Sequence, residues 1–222
     1  MKRVIFVTGS DTGVGKTVVT TMLTQHLCAL GHRVAALKPL CSGGREDAVA
    51  LHAALGGALS LDEINPWHFY APLAPALAAR KEHRRVLPAE VLAQVRQAQA
   101  RFDAVLVEGA GGLLSPLGVG FNARILIARL RATPVVVCPN RLGAVNQVLL
   151  VLAALPLAAA RRAQIVLVTQ KHSDASARSN AALLAEHLGR ERVHRLPWLC
   201  NAAQTALARR VVAGLLRRIQ AG

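Results

Sequence analysis

Val4-Ile5-Phe6-Val7-Thr8-Gly9-Ser10-Asp11-Thr12-Gly13-Val14-Gly15-Lys16-Thr17 passes from an unbroken apolar run into glycines, then into a lysine and a threonine. The apolar run, taken from Arg3 to Thr8, reads as a buried strand, and the pattern after Lys16 reads as a helix to Leu30. A loop from Gly9 to Gly15 between them has the composition of a phosphate cradle. Its backbone N–H groups point inward at phosphate oxygens, and the helix N-terminus adds partial positive charge. Gly13 and Gly15 let the backbone approach without a Cβ clash. Lys16 would reach the β- and γ-phosphates, and the Thr17 hydroxyl would sit on Mg²⁺. Val14 and Val18 complete the candidate set around this loop. Five residues separate Gly9 from Gly15, where the usual motif has four.

Outward from this loop, β-branched runs alternate with helical patterns, the mark of a parallel sheet with crossover helices. Strands are expected at 3–8, 33–38, 104–108, 134–139, 164–169 and 192–196. Helices are expected at 16–30, 46–55, 89–101, 121–131, 144–155, 175–188 and 205–219. Gly31 and Gly189 suit left-handed helix stops, and Pro88 a helix start. Residues 65–76, with Pro66, Pro72 and Pro75, read as an ordered loop. The expected class is a three-layer α/β fold, helices on both faces of a mostly parallel sheet, in one domain over residues 1–222.

In such a sheet, ligands gather at the carboxyl ends of the strands. Val105-Leu106-Val107-Glu108 ends there in a carboxylate, followed by Gly109-Ala110-Gly111-Gly112. Glu108 is placed to hold Mg²⁺ opposite Thr17, with the glycines passing close to the γ-phosphate. Lys38 ends the second strand on the same edge, where a second ammonium could stabilise charge on a transferring phosphoryl group. Lysine is scarce in this arginine-rich chain, at positions 2, 16, 38, 81 and 171. Asp47 is either a further Mg²⁺-side oxygen or an acid favoured at a helix start.

The 222 residues are 53% hydrophobic, which excludes a disordered chain. No run of about 18 apolar residues marks a membrane span; Val145 to Ala160 contains Pro156, ends in Arg161-Arg162 and suits a core helix. Met1-Lys2-Arg3 and the short apolar run after it lack a cleavage site, so a cytoplasmic location is expected. Cys28, Cys41, Cys138 and Cys200 have no metal-ligand spacing and are expected as reduced thiols. The net charge of +15 could suit nucleic acid, yet the arginines are scattered as pairs and aromatics make up only 3%, too few for base stacking. Nucleic acid and membrane are therefore not expected partners.

Together these residues resemble dethiobiotin synthetase, the ATP-dependent enzyme that closes the ureido ring in biotin synthesis. The likeness runs from residue 1 to about residue 199. It rests on Thr8 to Thr17 with the extra loop residue, Lys38-Pro39, Ser42-Gly43, Asn65-Pro66, Pro72 to Ala79, and Val107 to Gly112 with Ser115-Pro116-Leu117. Leu142 to Asn146 and Leu196-Pro197-Trp198-Leu199 follow in order. The resemblance implies a homodimer that takes 7,8-diaminopelargonic acid, CO₂ and ATP to dethiobiotin, ADP and phosphate. It implies Thr17, Asp47 and Glu108 as Mg²⁺ ligands and Lys16 and Lys38 as catalytic cations on the phosphates and a carbamate. Thr12, Ser42 and Asn146 would meet the substrate, Asn146 from the neighbouring subunit. Gly109, Ala110, Gly111, Gln170, Lys171, Pro197, Trp198 and Leu199 would join the ATP site. The chain departs from the family in a short Ser42–Asp47 loop, in Ala76 for a histidine, and in Gln170 for the asparagine that reads adenine, which points to weak base discrimination. Residues 202–222 match no family segment and read as a packing helix. Two rivals share the loop: a partitioning or division-site ATPase, opposed by Asp11 where such proteins carry a lysine, and a degenerate nucleotide-binding module.

Overall fold

Residues 4–221 are described by a computed structural model; the expected strand start at Arg3 lies outside them. The elements run β1 (Val4–Gly9), α1 (Lys16–Ala29), β2 (Val34–Leu37), β3 (Leu40–Ser42), α2 (Glu46–Ala54), α3 (Leu61–Ile64), β4 (Trp67–Phe69), α4 (Pro75–Lys81), α5 (Pro88–Arg101) and β5 (Ala104–Glu108). They continue with α6 (Ala123–Leu130), β6 (Thr133–Asn140), α7 (Ala144–Ala154), α8 (Leu157–Arg162), β7 (Gln164–Thr169), α9 (Asn180–Leu188), β8 (Val193–Leu196) and α10 (Ala202–Ala221). Six strands form a parallel sheet in the order β2-β5-β1-β6-β7-β8. β1 and β6 are buried along their whole length, which is why they read as continuous apolar runs rather than alternating ones. Helices cover the sheet: α1 packs with α2 and α10, and α7 packs with α8 and α9.

The strand order fixes where a ligand can sit. From β1 the chain crosses to β2 on one side, and from β5 it crosses back to β6 on the other. β1 and β5 are neighbours, with Val7 opposite Glu108. The chain therefore leaves their carboxyl ends in opposite directions, which opens a crevice at the switch point. The Gly9–Gly15 loop and the Gly109–Gly112 turn are the two lips of that crevice.

Local chemistry accounts for most boundaries. At the end of α1, the Gly31 N–H donates to the Cys28 carbonyl and the His32 N–H to that of Leu27, with Gly31 at φ 81°. That is a Schellman stop. Gly189 does not repeat it: its φ of 89° is paired with an extended ψ of 137°, because the chain turns at once into a short 3₁₀ turn and β8. Pro88 is the first residue of α5, where its missing N–H costs nothing.

Several expectations need correction. Residues 65–76 are not simply a loop, since Trp67–Phe69 pairs in parallel with Leu40–Ser42 as a separate two-stranded sheet and α4 starts at Pro75. The helix expected at 144–155 is α7, but the apolar run carries a second helix, α8, not expected: Leu155 and Pro156 are extended and divide the two, as expected of a residue before proline. The helix expected from residue 121 starts at Ala123, because the Asn122 side chain caps it by accepting from the Ile125 N–H. The 175–188 segment is a 3₁₀ turn over Ala175–Arg178 followed by α9. α10 is longer than the 205–219 expected, and it buries Ala208, Val212, Leu215, Leu216 and Ile219 as a packing helix should. No helix among the described residues is long and apolar enough to cross a membrane.

Candidate active site

The crevice opens into a cavity of about 680 Å³. The loop supplies Thr12, Gly13, Gly15, Lys16, Thr17 and Val18; Lys38, Ser42 and Asp47 form the floor and one side; Ala110 and Gly111 form the other. Gly15 sits at φ 96°, ψ 20° and turns the loop into α1; a Cβ there would be strained. Gly112 serves close approach instead. A Cβ on it would meet the Ser10 carbonyl oxygen at 3.2 Å, so the β5 turn lies directly against the loop. The Ser10 N–H donates to the Val137 carbonyl at 2.9 Å, fixing the loop to β6.

Lys16 is 6% exposed, and its ammonium donates to the Asp11 carbonyl at 2.8 Å, arching over the loop it closes. Burial, and then the neighbouring Lys38 charge, push it down to about 8. An anion in the loop would favour its charged form.

Two carboxylates, one ammonium group and one hydroxyl meet below the loop. The Thr17 hydroxyl oxygen lies 2.8 Å from Asp47 Oδ1 and 2.8 Å from Glu108 Oε1. Lys38 Nζ donates to Asp47 Oδ2 at 2.6 Å, to Glu108 Oε1 at 2.7 Å and to the Gly109 carbonyl at 3.3 Å. Lys38 is 3% exposed and the Glu108 side chain is fully buried, while that of Asp47 is 41% exposed. Burial pulls the Lys38 ammonium down, but Glu108 and Asp47 outweigh it and its net shift is upward. For Asp47, burial raises the carboxyl and Lys38 outweighs it, so the net shift is downward.

This donor set fits Mg²⁺. The Thr17 hydroxyl has one proton for two carboxylate oxygens that are both 2.8 Å away, and Lys38 donates to the same two carboxylates, so three hard oxygens converge at one spot beside an ammonium. Glu108 Oε2 is buried with no hydrogen-bond partner, a costly arrangement that a cation would relieve. Carboxylates with a hydroxyl are the ligands Mg²⁺ takes beside phosphate oxygens. Among the described residues no cluster of three or more His, Cys, Asp or Glu competes for a metal.

Not every expected residue meets at this cavity. Val14 is buried behind the loop, and Gly109 passes beneath Lys38. Gln170 and Lys171 follow β7, and Pro197, Trp198 and Leu199 follow β8. The two strands are adjacent, with Val168 opposite Leu196, so these five residues form a neighbouring shelf rather than the cavity wall. Val168 also lies against Gly15, which brings the shelf to the loop's flank. Trp198 and Leu199 are 43% and 38% exposed there, and the Gln170 amide donates back to the Val168 carbonyl at 2.9 Å. Asn146 is exposed on the first turn of α7, outside the cavity. Sequence reasoning missed Cys41, Leu73, Ala74 and the roles of Arg45 and Asn65. Cys41 and the 72–75 segment complete the wall, and the Ser42 hydroxyl donates to the Leu73 carbonyl. The pairing of β3 with β4 brings them together, and three-residue strands carry too little periodicity to announce it. All four cysteines are free thiols.

Comparison with known proteins agrees with this geometry. A family model described as an AAA domain matches residues 3–205. The ATP-dependent dethiobiotin synthetase BioD of Anaeromyxobacter dehalogenans strain 2CP-C is 43% identical over 211 residues, covering 93% of this chain and 95% of the relative. The protein of the same name from Anaeromyxobacter sp. strain Fw109-5 is 41% identical over 207 residues, covering 91% and 93%. The solved MinC:MinD cell division protein complex of Aquifex aeolicus matches at a TM-score of 0.59 with 15% identity, over 99% of this chain and 96% of that one, which is a likeness of fold alone. A nucleotide loop, a carboxylate pair bridged by lysine and near-complete alignment all point one way: the chain belongs to the ATP-dependent dethiobiotin synthetases, P-loop ligases of biotin biosynthesis that take ATP as co-substrate.

Proposed function

We propose that this chain converts 7,8-diaminopelargonic acid and CO₂ to dethiobiotin, with hydrolysis of ATP to ADP and phosphate, and that it requires Mg²⁺. The observation that carries the reading is Lys38. It is a buried, ion-paired ammonium lining the cavity that also holds the phosphate loop, so one cation would face both a γ-phosphate and a group bound beside it. Its ion pairs with Asp47 and Glu108, at 2.6 and 2.7 Å, favour the charged form, and Lys38 is therefore assigned an electrostatic role.

The sequence of steps balances without further reagents. A neutral substrate amine adds to CO₂ and loses a proton, giving a carbamate anion, which Lys38 is placed to hold. A carbamate oxygen attacks the γ-phosphorus and ADP leaves, while Lys16 and the loop N–H groups hold the phosphate oxygens. The second amine then attacks the carbonyl carbon of the carbamic-phosphoric anhydride, closes the ring and expels phosphate. Thr17, Asp47 and Glu108 would hold Mg²⁺, which supplies neutralisation of charge on the phosphates. Thr12 and Ser42 line the cavity where the diamine would lie. Asn146 and the first turn of α7, which lie outside this cavity, are assigned to the substrate carboxylate of a second copy. The exposed Leu142 and Leu150 beside them, at 79% and 61%, suit a homodimer contact there. The shelf of Gln170, Lys171, Pro197, Trp198 and Leu199 is assigned to the base, packed on the exposed indole.

Two measurements test parts of this. Glu108→Gln removes one negative ligand and is expected to raise the half-saturating Mg²⁺ concentration in phosphate release by about tenfold or more. An unchanged Mg²⁺ dependence would place the ion elsewhere. Gln170 stands where the resemblance has asparagine, and one of its two amide N–H groups donates to the Val168 carbonyl, so base discrimination is expected to be weak. Values of kcat/KM for ATP, CTP and GTP should lie within about tenfold of one another, since a pocket without a committed polar reader rejects little. A preference for ATP of several hundredfold would refute that assignment.

A further inference from the structure

Asp47 reaches Thr17 and Lys38 across a short connection from β3, and that connection is pinned along its length. The Cys41 thiol donates to the Gly44 carbonyl at 2.9 Å, the Gly43 N–H donates to the Phe69 carbonyl at 2.9 Å, and the Gly43 carbonyl lies 2.7 Å from His68 Nε2. Arg45 is the last residue before α2, two residues ahead of Asp47. Its guanidinium turns away from the cavity. Nε donates to Asn65 Oδ1 at 3.2 Å, and Nη2 donates to the Leu61 carbonyl at 3.1 Å, the Asn65 carbonyl at 3.0 Å and Asp62 Oδ1 at 2.8 Å.

Asn65 works in the opposite direction. It is 1% exposed, and its Nδ2 donates to the Lys38 carbonyl at 2.8 Å and the Pro39 carbonyl at 3.2 Å. The Lys38 N–H donates in turn to the Ile64 carbonyl at 3.0 Å. The platform is stiff, because Ser60 and Glu63 close a capping box on α3. A single buried amide thus holds the backbone of Lys38 on one side and the side chain that launches Asp47 on the other. Neither Arg45 nor Asn65 lines the cavity.

We infer that Arg45 and Asn65 are positioning residues: a guanidinium–amide brace that fixes Asp47 relative to Lys38 and so makes the short 42–47 loop serviceable. The roles of Lys38 and Asp47 are those proposed above, and the brace rests on that reading. Its strength lies in the three carbonyl contacts of a planar fork, not in the ion pair to Asp62, whose side chain is 88% exposed and screened by solvent. Displacement of a catalytic constellation by about 1 Å is enough to cost on the order of a hundredfold in rate.

The test compares Arg45→Ala, Arg45→Lys, Asn65→Ala and the surface control Asp62→Asn with the wild type. Three quantities are read: ATP binding by calorimetry across a Mg²⁺ series without diamine, kcat and KM for diamine-dependent phosphate release, and the thermal midpoint. Arg45→Ala is expected to raise the Mg²⁺ needed for tight ATP binding by about tenfold and to lower kcat by about ten- to a hundredfold. ATP affinity at saturating Mg²⁺ should stay within about threefold, since the phosphate loop is untouched. Arg45→Lys should fall between, because an ammonium reaches one carbonyl but cannot fork, and Asp62→Asn should match the wild type. Should Asn65→Ala fail to fold, the Arg45 series decides. A lower thermal midpoint with wild-type Mg²⁺ dependence and kcat in Arg45→Ala would overturn the brace. A wild type that releases no phosphate on adding diamine would overturn the functional reading instead, and the calorimetric series would still decide the brace.

Discussion

Lys38→Gln is expected to lower kcat for diamine-dependent phosphate release by about two orders of magnitude or more, the scale of losing one preorganised electrostatic group. ATP affinity should change far less, because Lys16 and the loop N–H groups remain. The reasoning is differential. Negative charge moves onto bridging and leaving oxygens only as the phosphoryl group transfers, so a cation between carbamate and γ-phosphate acts mainly in the transition state. Lys38 also neutralises the fully buried Glu108, 2.7 Å away, and a buried charge stripped of its partner costs about 3–5 kcal/mol. The single variant will therefore melt lower as well. The double variant Lys38→Gln with Glu108→Gln removes both charges, and should recover the thermal midpoint without recovering turnover. Normal turnover by Lys38→Gln at saturating ATP would reduce Lys38 to a binding residue.

Lys16→Ala is expected to abolish measurable turnover and to weaken ATP binding by about a hundredfold or more, while the fold survives. The difference from Lys38 is in the partners. Lys16 makes its hydrogen bond to a backbone carbonyl, that of Asp11, and burial already disfavours its charge, holding it near 8. Removing it leaves no carboxylate unpaired. The thermal midpoint should stay close to that of the wild type even as calorimetry loses the ATP signal. Wild-type ATP affinity and rate in this variant would remove the phosphate cradle from the active site.

The parts of this site that could be read in advance are those in which chemistry demands contiguous residues. The loop from Gly9 to Thr17 needs its glycines, lysine and threonine in one run, so strand, turn and helix were visible together. Glu108 and Lys38 were visible because each ends an apolar strand, and parallel strands deliver their carboxyl ends to one edge. What was hidden depends on contacts distant in sequence. Arg45 and Asn65 are 20 residues apart and carry no spacing signal. The β3–β4 pair is too short for a period, and Pro66, Pro72 and Pro75 around β4 pointed to a loop. The helix expected at 144–155 is α7, which ends at Ala154 just before Pro156, so there hydropathy and proline agreed. Gly189 shows the limit of composition: a glycine after a helix predicts positive φ, and φ is positive, but ψ depends on the turn that follows.

The most direct measurement is steady-state phosphate release by the wild-type protein with ATP and Mg²⁺, adding 7,8-diaminopelargonic acid and bicarbonate singly and together. Release should be slow with either alone and rise sharply with both, with one dethiobiotin formed per phosphate. Phosphate release indifferent to the diamine, or free of dethiobiotin, would contradict the proposed reaction while leaving the nucleotide site in place.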